Sequence, residues 1–429
     1  MLSLKKNEFY IKNFINFLIC ILPVSFIAGN LIINLNLVLI IFFSLLFYGK
    51  EIFKIKFLFL DKVLILIFIF AIFTSLVNTL NYKNDLQNNL NTFTLEKTLS
   101  FLRFLFFYFV IRFLVENKIL TFKYFFIVAS LCSVFVSLDL IYQFFNGEDI
   151  FGFKSEIHKL AGPFGDEPIA GSYLQRFSVF LIFLIVIYFP NLSFKTKLLL
   201  SLFFFALFFF SIVLAGNRMP MIIFFLFWVF LFLFEKNLRK FSILFFGSML
   251  LFFYIILQFS DQINAYSSHF FKLSIEIVKF IPALLSEENI THFPNTYIKE
   301  FYSGLMSWKE NFFIGGGINS FHYNCIKTVS ACASHPHNYY LEILSELGLI
   351  GMFLWSIVFL YVVFISIIKK YFLNSNFTNN HLITPFAILF LVEIFPFKTT
   401  GSFFTTGNAT FIFLILSVII ALSRKSQYK

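Results

Sequence analysis

The sequence predicts an all-α, polytopic membrane protein with about twelve transmembrane helices and one long, partly helical external loop. Hydrophobic residues make up 59% of the 429 positions and charged residues only 13%. A water-soluble domain of this size needs a more charged surface. The apolar residues also form runs about as long as a bilayer is thick, and a helix satisfies its own backbone in lipid. The same apolar content excludes disorder.

Twelve apolar runs of roughly bilayer length follow one another along the chain. The first run lacks a clear small-x-small cleavage site and another follows it at once, so we expect a span rather than a cleaved signal peptide. The twelve runs cover residues 11–28, 31–48, 62–80, 98–115, 121–145, 173–190, 197–215, 219–235, 241–259, 345–368, 382–397 and 407–423.

The basic residues indicate which side of the membrane each loop faces. With a cytoplasmic N-terminus, 20 of the 33 Lys and Arg fall on inside segments, and every inside loop is basic, which fits the positive-inside rule. These basic residues lie between the apolar runs and do not form a patch on a polar domain. This distribution argues against nucleic-acid binding. We therefore expect both termini in the cytoplasm.

Two external segments are longer than turns. Residues 146–172 are dense in Gly and Pro, which form turns. In residues 260–344, helical spacing of polar and apolar positions over 269–285 predicts an amphipathic helix on the membrane surface. A second helix is predicted from about Asn295 to Asn311. The chain thus divides into 1–259 with nine spans and the 146–172 loop, the external loop 260–344, and 345–429 with three spans.

Arginine is informative because the chain has only six. In the predicted topology Arg103, Arg176 and Arg218 each lie within about two turns of the outer end of a span. Snorkelling to the interface is the alternative, but Lys serves there equally well. The planar guanidinium fork matches phosphate oxygens bidentately, and ionisable residues at membrane depth are functional candidates. We predict that the three bind an anion.

Two histidines lie just before the tenth span, in Ser334-His335-Pro336-His337-Asn338. Histidine accepts a proton near neutral pH, so His337, with His335 second, is the candidate catalytic base. A surface position at a helix start is the alternative. A metal site is disfavoured, because no further ligands follow at metal spacing. Asn338 is placed to cap the helix beginning at Tyr339.

Cys325 and Cys332 are seven residues apart in the external loop. An oxidising compartment permits a disulfide between them, which we favour over two unpaired thiols.

The histidine segment resembles the signature of the O-antigen ligase / O-antigen polymerase superfamily. The histidine segment that carries the resemblance runs from His335 to Glu342 and continues from Glu346 to Gly351. A glycine run, Asn311 to Gly317 with Phe321, and the segment Ala215-Gly216-Asn217-Arg218, which looks like the family's Gly-Ser-Arg element, also resemble the family. The segment from Gly162 to Phe177 resembles a further element that only part of the family has.

One position departs from that family pattern. Many members carry an additional Arg early in the helix before the glycine run, where this chain has Tyr297 and Lys299. Lys299 can replace the charge but lacks the fork. We place Asn338, Glu342, Gly315, Gly317, Cys325 and Cys332 among the structural residues near the site.

The resemblance implies a glycosyltransferase, without metal or cofactor, at the periplasmic face of a bacterial inner membrane. The donor would be a glycan on polyprenyl (undecaprenyl) pyrophosphate, with the arginines and Lys299 binding the pyrophosphate. The acceptor would be lipid A core for a ligase, another repeat unit for a polymerase, or a protein. Direct attack with inversion is the simplest mechanism. The alternative of a different class is a transporter or flippase of an anionic substrate, but such proteins tend to show repeats, and none is evident here.

Overall fold

The computed structural model describes residues 2–81, 88–154, 159–259, 296–328, 332–373 and 381–425, and these ranges are helical without a β-strand. An isolated bridge joins Glu148 and Lys154. The helices are α1 (Leu2–Cys20), α2 (Leu22–Ala28), α3 (Asn30–Ile52), α4 (Phe59–Asn81), α5 (Asn88–Glu116), α6 (Phe122–Asn146), α7 (Ala170–Phe177), α8 (Val179–Tyr188), α9 (Phe194–Leu214), α10 (Arg218–Phe234), α11 (Arg239–Phe259), α12 (Thr296–Glu310), α13 (Phe321–Thr328), α14 (Tyr339–Val363), α15 (Ile383–Glu393) and α16 (Thr406–Lys425).

The described part of the chain has nine helices long and apolar enough to cross a membrane, or ten if α10 and α11 form one bent span. The protein is therefore a polytopic membrane protein, as predicted, but the count of twelve is not reproduced. The direction changes by 116° between α10 and α11. Helix α15 has 11 residues, about 16 Å at 1.5 Å per residue, which is shorter than the roughly 30 Å hydrocarbon core.

The helix predicted near Asn295–Asn311 is confirmed as α12. The amphipathic helix predicted over 269–285 lies outside the described residues. Helix α14 starts at Tyr339, ahead of the apolar run predicted from 345, and continues through Phe364–Ile368 to Tyr371. Its polar first turns therefore belong to the same helix as its apolar part.

Helix α16 lies at the centre of the bundle. Every residue from Ala409 to Ser423 is buried, and the helix packs against α3, α5, α14 and α15. A helix that is apolar on all sides is expected to be buried on all sides. The first turn of α16 therefore lies in the middle of one end of the helix bundle.

Charged residues meet at the far end of α16. The Arg112 guanidinium pairs with Asp61 and with Glu116 at 2.7 Å, and Arg424 reaches Glu116 at 3.0 Å. The Tyr108 hydroxyl also donates to Asp61, at 2.8 Å. Buried charges in a membrane protein are tolerated when they pair. This cluster ties α4, α5 and α16 together at the end opposite to Thr406.

Candidate active site

The histidine segment, residues 334–338, lies directly before α14. Asn338 caps the helix, because its Oδ1 accepts hydrogen bonds from the amides of Tyr340 at 3.0 Å and Leu341 at 3.2 Å. His337 has φ 51°, a left-handed conformation that is uncommon for a residue other than glycine and often found at functional sites. Its carbonyl accepts from the amide of Thr400 at 2.9 Å. The imidazole is thus presented from a fixed backbone.

Glu300 of α12 faces the histidine pair. The ring centroids of His335 and His337 are 4.1 Å apart, and Nε2 of His337 lies 3.5 Å from Oε2 of Glu300. The side chain of His337 is 29% exposed and that of Glu300 12%. His335 is held by Ser334, whose Oγ lies 2.9 Å from its Nδ1. A substrate can therefore reach His337 next to a carboxyl group.

Burial shifts the protonation of these three groups toward their neutral forms. It raises the pKa of Glu300 to about 7. It lowers the pKa of His337, while a hydrogen bond with the Thr400 backbone acts in the opposite sense. The pKa of His335 falls to about 4, through burial first and the neighbouring charge of His337 second. Both imidazoles are therefore neutral at pH 7, and a neutral imidazole is the form that accepts a proton.

Helix α12 approaches the histidine segment closely through a face of small residues. A Cβ on Gly304 would lie 3.0 Å from Cβ of Pro336, and Ser303 and Ser307 are buried on the same helix. Residues at spacings of three and four share a helix face, so Glu300, Gly304 and Ser307 point the same way. Glu300 is carried to His337 because this face has no bulky side chain.

The glycine run, residues 315–317, docks against α14 where Gly348 (φ 66°, ψ −169°) breaks that helix. Gly315 has φ 73°, and a Cβ there would lie 2.4 Å from the Glu346 carbonyl. The amides of Gly316 and Gly317 donate to the carbonyls of Ser345 and Glu346, at 3.0 and 2.8 Å. Gly317 has φ 95°, again a conformation that favours glycine. The contact at Gly315 leaves no space for a side chain there.

Two further elements stabilise the surroundings of the glycine run. Cys325 and Cys332 form a disulfide bond, which joins α13 to the residues just before the histidine segment. Glu342, 1% exposed, accepts a hydrogen bond from the amide of Phe403 at 2.6 Å. The expected structural residues thus hold α12, α13 and α14 around the histidines.

Residues 394–408 connect the histidines to two of the arginines. Besides Thr400, which bonds His337, Pro396 accepts a hydrogen bond from Nδ2 of Asn338 at 2.7 Å. At the start of α16, Thr406 Oγ1 accepts from Arg103 at 3.3 Å and Asn408 Oδ1 accepts from Arg176 at 2.7 Å. One short segment therefore contacts His337, Arg103 and Arg176.

Arg176 is paired with a carboxylate. Its Nη2 lies 2.5 Å from Glu393 Oε1, and Lys398 Nζ lies 2.7 Å from the same oxygen. The Tyr339 hydroxyl also donates to that oxygen, at 2.9 Å. Arg176 is only 7% exposed. The fork that we expected to hold a pyrophosphate is thus engaged by Glu393, although the two cations leave one net positive charge in the cluster.

Arg103 borders a polar pocket of about 360 Å³. Lys97 shares this wall of α5, and amides and hydroxyls from three other places complete it. The remaining polar lining consists of Asn30, Asn34, Ser100, Asn319, Thr405 and Thr406. The pocket has two cations and no carboxylate in its lining, so it favours an anion or a polar, hydroxyl-rich ligand.

Arg218 begins α10 and is half-buried. Within the described ranges, no hydrogen bond or ion pair engages its guanidinium, in contrast to Arg176. The preceding Asn217 donates to the carbonyl of Pro168, and Gly171 of α7 allows Pro220 to approach within van der Waals distance. Lys299 lies beside Glu300 on α12 and is exposed.

Sequence reasoning missed Glu300, Glu393 and Lys398. Glu393 had a signal, since it is an acidic residue within the apolar run 382–397, and such residues are functional candidates or need a partner. The signal for Glu300 was weaker, because the sequence places Glu300 on the same helix face as Gly304 only if residues 295–311 are taken as a helix. Lys398 carries no local signal. Among the described residues, no three His, Cys, Asp or Glu side chains are placed to hold a metal ion.

Residues 202–356 match the family model of O-antigen ligase. The matched range contains Arg218, the glycine run and both histidines, so the family resemblance is confirmed over that range. The element from Gly162 to Phe177, which includes Arg176, lies outside it. No curated protein matches the chain.

Proposed function

We propose that this membrane protein, whose residues 202–356 match the O-antigen ligase family, transfers a glycan from a polyprenyl-pyrophosphate donor to an acceptor hydroxyl at the periplasmic face. The reaction we favour is O-antigen ligation to lipid A core. Repeat-unit polymerisation is the same chemistry on another acceptor. The observation that carries the proposal is the attachment of His337, Arg176 and Arg103 to the single segment 394–408.

His337 acts as the general base. The acceptor oxygen attacks the sugar carbon bound to the pyrophosphate, and its proton passes to the neutral imidazole. Ionised Glu300, 3.5 Å away, stabilises the imidazolium that forms. His335 packs against the ring and holds it in place. Base catalysis of this type contributes about 10²–10⁴-fold.

Arg218 stabilises the leaving pyrophosphate. The bond between the sugar carbon and the phosphate oxygen breaks, and its electron pair stays on the pyrophosphate. A guanidinium fork in a poorly hydrated site stabilises this charge without a metal ion. Arg103 and Lys299 add positive charge at the rim, and Arg176 acts mainly by fixing Glu393 and residues 394–408. Attack from the side opposite the leaving group inverts the sugar carbon.

The topology that fits this chemistry retains twelve crossings. Helices α10 and α11 each cross the membrane, their 116° reversal forming a hairpin, and short α15 is completed by the residues that follow it. The three-part division at 259 and 344 then stands, with both termini cytoplasmic and the histidines periplasmic. The ion-pair cluster at Arg112 and Arg424 lies on the cytoplasmic side.

The test of this function is transfer from a purified lipid-linked glycan by Arg218→Lys. The substitution keeps the charge and removes the fork, so we expect at least a tenfold loss of transfer, about 1.4 kcal/mol in the barrier. Arg239→Lys is the matched control, since Arg239 donates to the carbonyls of Phe232 and Leu233. We expect this variant to keep near wild-type activity. Unchanged transfer by Arg218→Lys contradicts the leaving-group assignment.

Glycan analysis in a deletion strain separates the two acceptors. Lipid-linked polymer that accumulates without reaching lipid A indicates a ligase. Single repeat units on lipid A indicate a polymerase. Normal glycan in the deletion strain would count against both.

A further inference from the structure

A pocket of about 360 Å³ lies where α8, α9, the bend between α10 and α11, and the start of α15 meet. Its volume is within the roughly 300–1,000 Å³ of ligand pockets in general. In the topology proposed above, the connections that border this pocket are cytoplasmic, so it lies at the opposite membrane face from His337. Most of the lining is apolar and consists of Phe183, Val186, Ile187, Phe194, Leu238 and Phe241. The pocket is therefore separate from the candidate active site.

Glu235 is the carboxylate in this lining, and its side chain is only 10% exposed. The hydroxyls of Tyr371 and Thr384 donate to its Oε2 at 2.8 and 3.2 Å, and Nζ of Lys370 lies 3.6 Å from the same oxygen. The other oxygen, Oε1, lies 3.9 Å from Nδ1 of His381, which is beyond hydrogen-bond distance. Among the described residues, Oε1 therefore has no hydrogen-bond donor, and a buried polar atom without one costs free energy.

Lys197 of α9 brings positive charge to the same lining. Its Nζ donates to the carbonyl of Pro190 at 3.2 Å, and an ammonium group has three N–H donors. His381 adds an imidazole to the lining, and its side chain is 52% exposed. The described lining thus presents a cation and a carboxylate beside an apolar wall. This combination matches a ligand that carries both charges and an apolar part.

Neither water nor an anionic lipid accounts for all three parts of the pocket. A water molecule donates to Oε1 of Glu235 but leaves the apolar wall unfilled. An anionic phospholipid fills the wall and pairs with Lys197, but it gives Oε1 no donor and brings a phosphate near a carboxylate. A phospholipid whose headgroup holds a phosphate and a primary ammonium satisfies each part. The phosphate pairs with Lys197, the ammonium donates to Glu235, and an acyl chain covers the wall.

We propose that this pocket binds a phospholipid with a primary ammonium headgroup, of the phosphatidylethanolamine type, from the cytoplasmic leaflet. The inference goes beyond glycan transfer and shares with the proposed function only the topology. A lipid in this position joins α8 and α9 to the bend between α10 and α11 and to α15. Helix α10 carries Arg218 at its other end, and α15 carries Glu393 at its other end. The lipid therefore steadies two helices that position charged residues at the far side of the membrane.

The experiment is native mass spectrometry of the purified full chain in detergent. The protein is titrated with phosphatidylethanolamine, phosphatidylglycerol or phosphatidylcholine, all with the same acyl chains. We expect the first phosphatidylethanolamine to bind about tenfold more tightly than either other lipid, or better. Phosphatidylglycerol lacks the cation, and the trimethylammonium of phosphatidylcholine has no N–H to donate to Glu235. Soluble glycerophosphoethanolamine, which has the headgroup without acyl chains, should not displace the lipid.

Two pairs of variants locate the binding at this pocket. Lys197→Ala removes the partner of the phosphate, and Asn237→Trp puts an indole into the lining at an exposed position. Each should weaken phosphatidylethanolamine binding about tenfold. Lys195→Ala and Lys236→Trp are the matched controls, since both lysines are exposed, adjoin these positions and are absent from the lining. The controls should keep wild-type affinity, and thermal unfolding in lipid-free detergent shows that all four variants are folded.

Four outcomes overturn the inference. Equal affinity for the three lipids means an ordinary annular contact, and tighter binding of phosphatidylglycerol means a simple anion site at Lys197. Wild-type affinity in Lys197→Ala or in Asn237→Trp, or an equal loss in their controls, places the bound lipid elsewhere. Displacement by glycerophosphoethanolamine assigns the pocket to a soluble zwitterion. None of these measurements depends on glycan transfer, so their failure leaves the proposed function standing, and a protein that binds the lipid but transfers no glycan keeps this inference and loses that function.

Discussion

At the scale of single residues, burial sets the protonation of Glu300 and His337, whose side chains face each other. Burial raises the pKa of Glu300 to about 7 and lowers the pKa of His337. The carboxyl group therefore titrates near neutral pH, whereas the imidazole is neutral there. As the pH rises through about 7, Glu300 ionises. Its carboxylate is then available to stabilise the imidazolium that forms when His337 accepts the proton of the acceptor hydroxyl.

Replacing His337 with Ala should lower glycan transfer by about 10²–10⁴-fold, the usual contribution of a positioned base. His335→Ala should have a smaller effect, because His335 supports the ring of His337 by packing. The measurement is transfer in membranes, normalised to the amount of each variant protein. Full activity in His337→Ala would remove the assignment.

Glu300→Gln should change the pH profile of transfer between about pH 5 and 9. In the wild type, activity should fall as the pH drops through about 7, because Glu300 is then protonated and no longer stabilises the imidazolium. In Glu300→Gln this limb should disappear and the plateau should be lower. The remaining acid limb comes from the protonation of His337 and lies at lower pH, because burial lowers the pKa of this imidazole. Exposed Glu310 at the end of α12 provides the control, and Glu310→Gln should keep the wild-type profile. A Glu300→Gln profile identical to wild type contradicts the pairing.

At the scale of elements, the break in α14 is the feature that fixes α12 to the bundle. Gly348 has φ 66° and ψ −169°, a region essentially restricted to glycine. The turn lets the amides of Leu349 and Ile350 donate to the carbonyls of Phe312 and Phe313, at 2.9 and 3.2 Å. The segment after α12 is therefore hydrogen-bonded to α14, and this contact helps to hold Glu300 near His337.

Gly348→Ala should destabilise the protein by about 1–3 kcal/mol or more. The conformation is strained for alanine, and a Cβ would lie 2.3 Å from the Phe313 carbonyl oxygen. Thermal unfolding in detergent measures the effect. Gly247 in α11 is the control, since no group of the described residues outside its own helix turn lies within 4 Å of a Cβ added there and alanine favours the helix by about 0.5–1 kcal/mol. Equal thermal stability of the two variants would contradict the role given to the break.

At the scale of the whole molecule, α16 connects two polar ends. Thr406 and Asn408 receive Arg103 and Arg176 at one end, and Arg424 binds Glu116 at the other. The helix between is buried on all sides. The catalytic proposal therefore requires that the two ends face opposite sides of the membrane.

Cysteine accessibility tests that orientation. With Cys20 and Cys132 replaced by Ala, Lys309→Cys on α12 should react with a membrane-impermeant maleimide in intact spheroplasts. Lys54→Cys, between α3 and α4, should react only after the membrane is permeabilised. Both lysines are exposed, so access to the reagent decides the result. Labelling in the reverse order would place the histidines in the cytoplasm and end the periplasmic assignment.

The sequence by itself determined the features that depend on local spacing. Long apolar runs predicted a polytopic, all-helical protein because span length follows from bilayer thickness. Asn338 as helix cap and α12 as a helix followed from neighbouring residues. The histidine segment could be recognised for the same reason, since its motif is contiguous.

Only the tertiary structure decided which charges meet. Arg176 and Glu393 are 217 positions apart, and their pairing depends on how α7 and α15 are rotated about their axes. Apolar composition leaves this rotation open, because a helix that is apolar on every face has no preferred side. The rotation of α10 about its axis is equally open from the sequence. Arg218 carries the same charge as Arg176, but within the described ranges it has no charged partner. The packing of α7, α10 and α15 thus separates an arginine that holds the fold from an arginine that can hold a substrate.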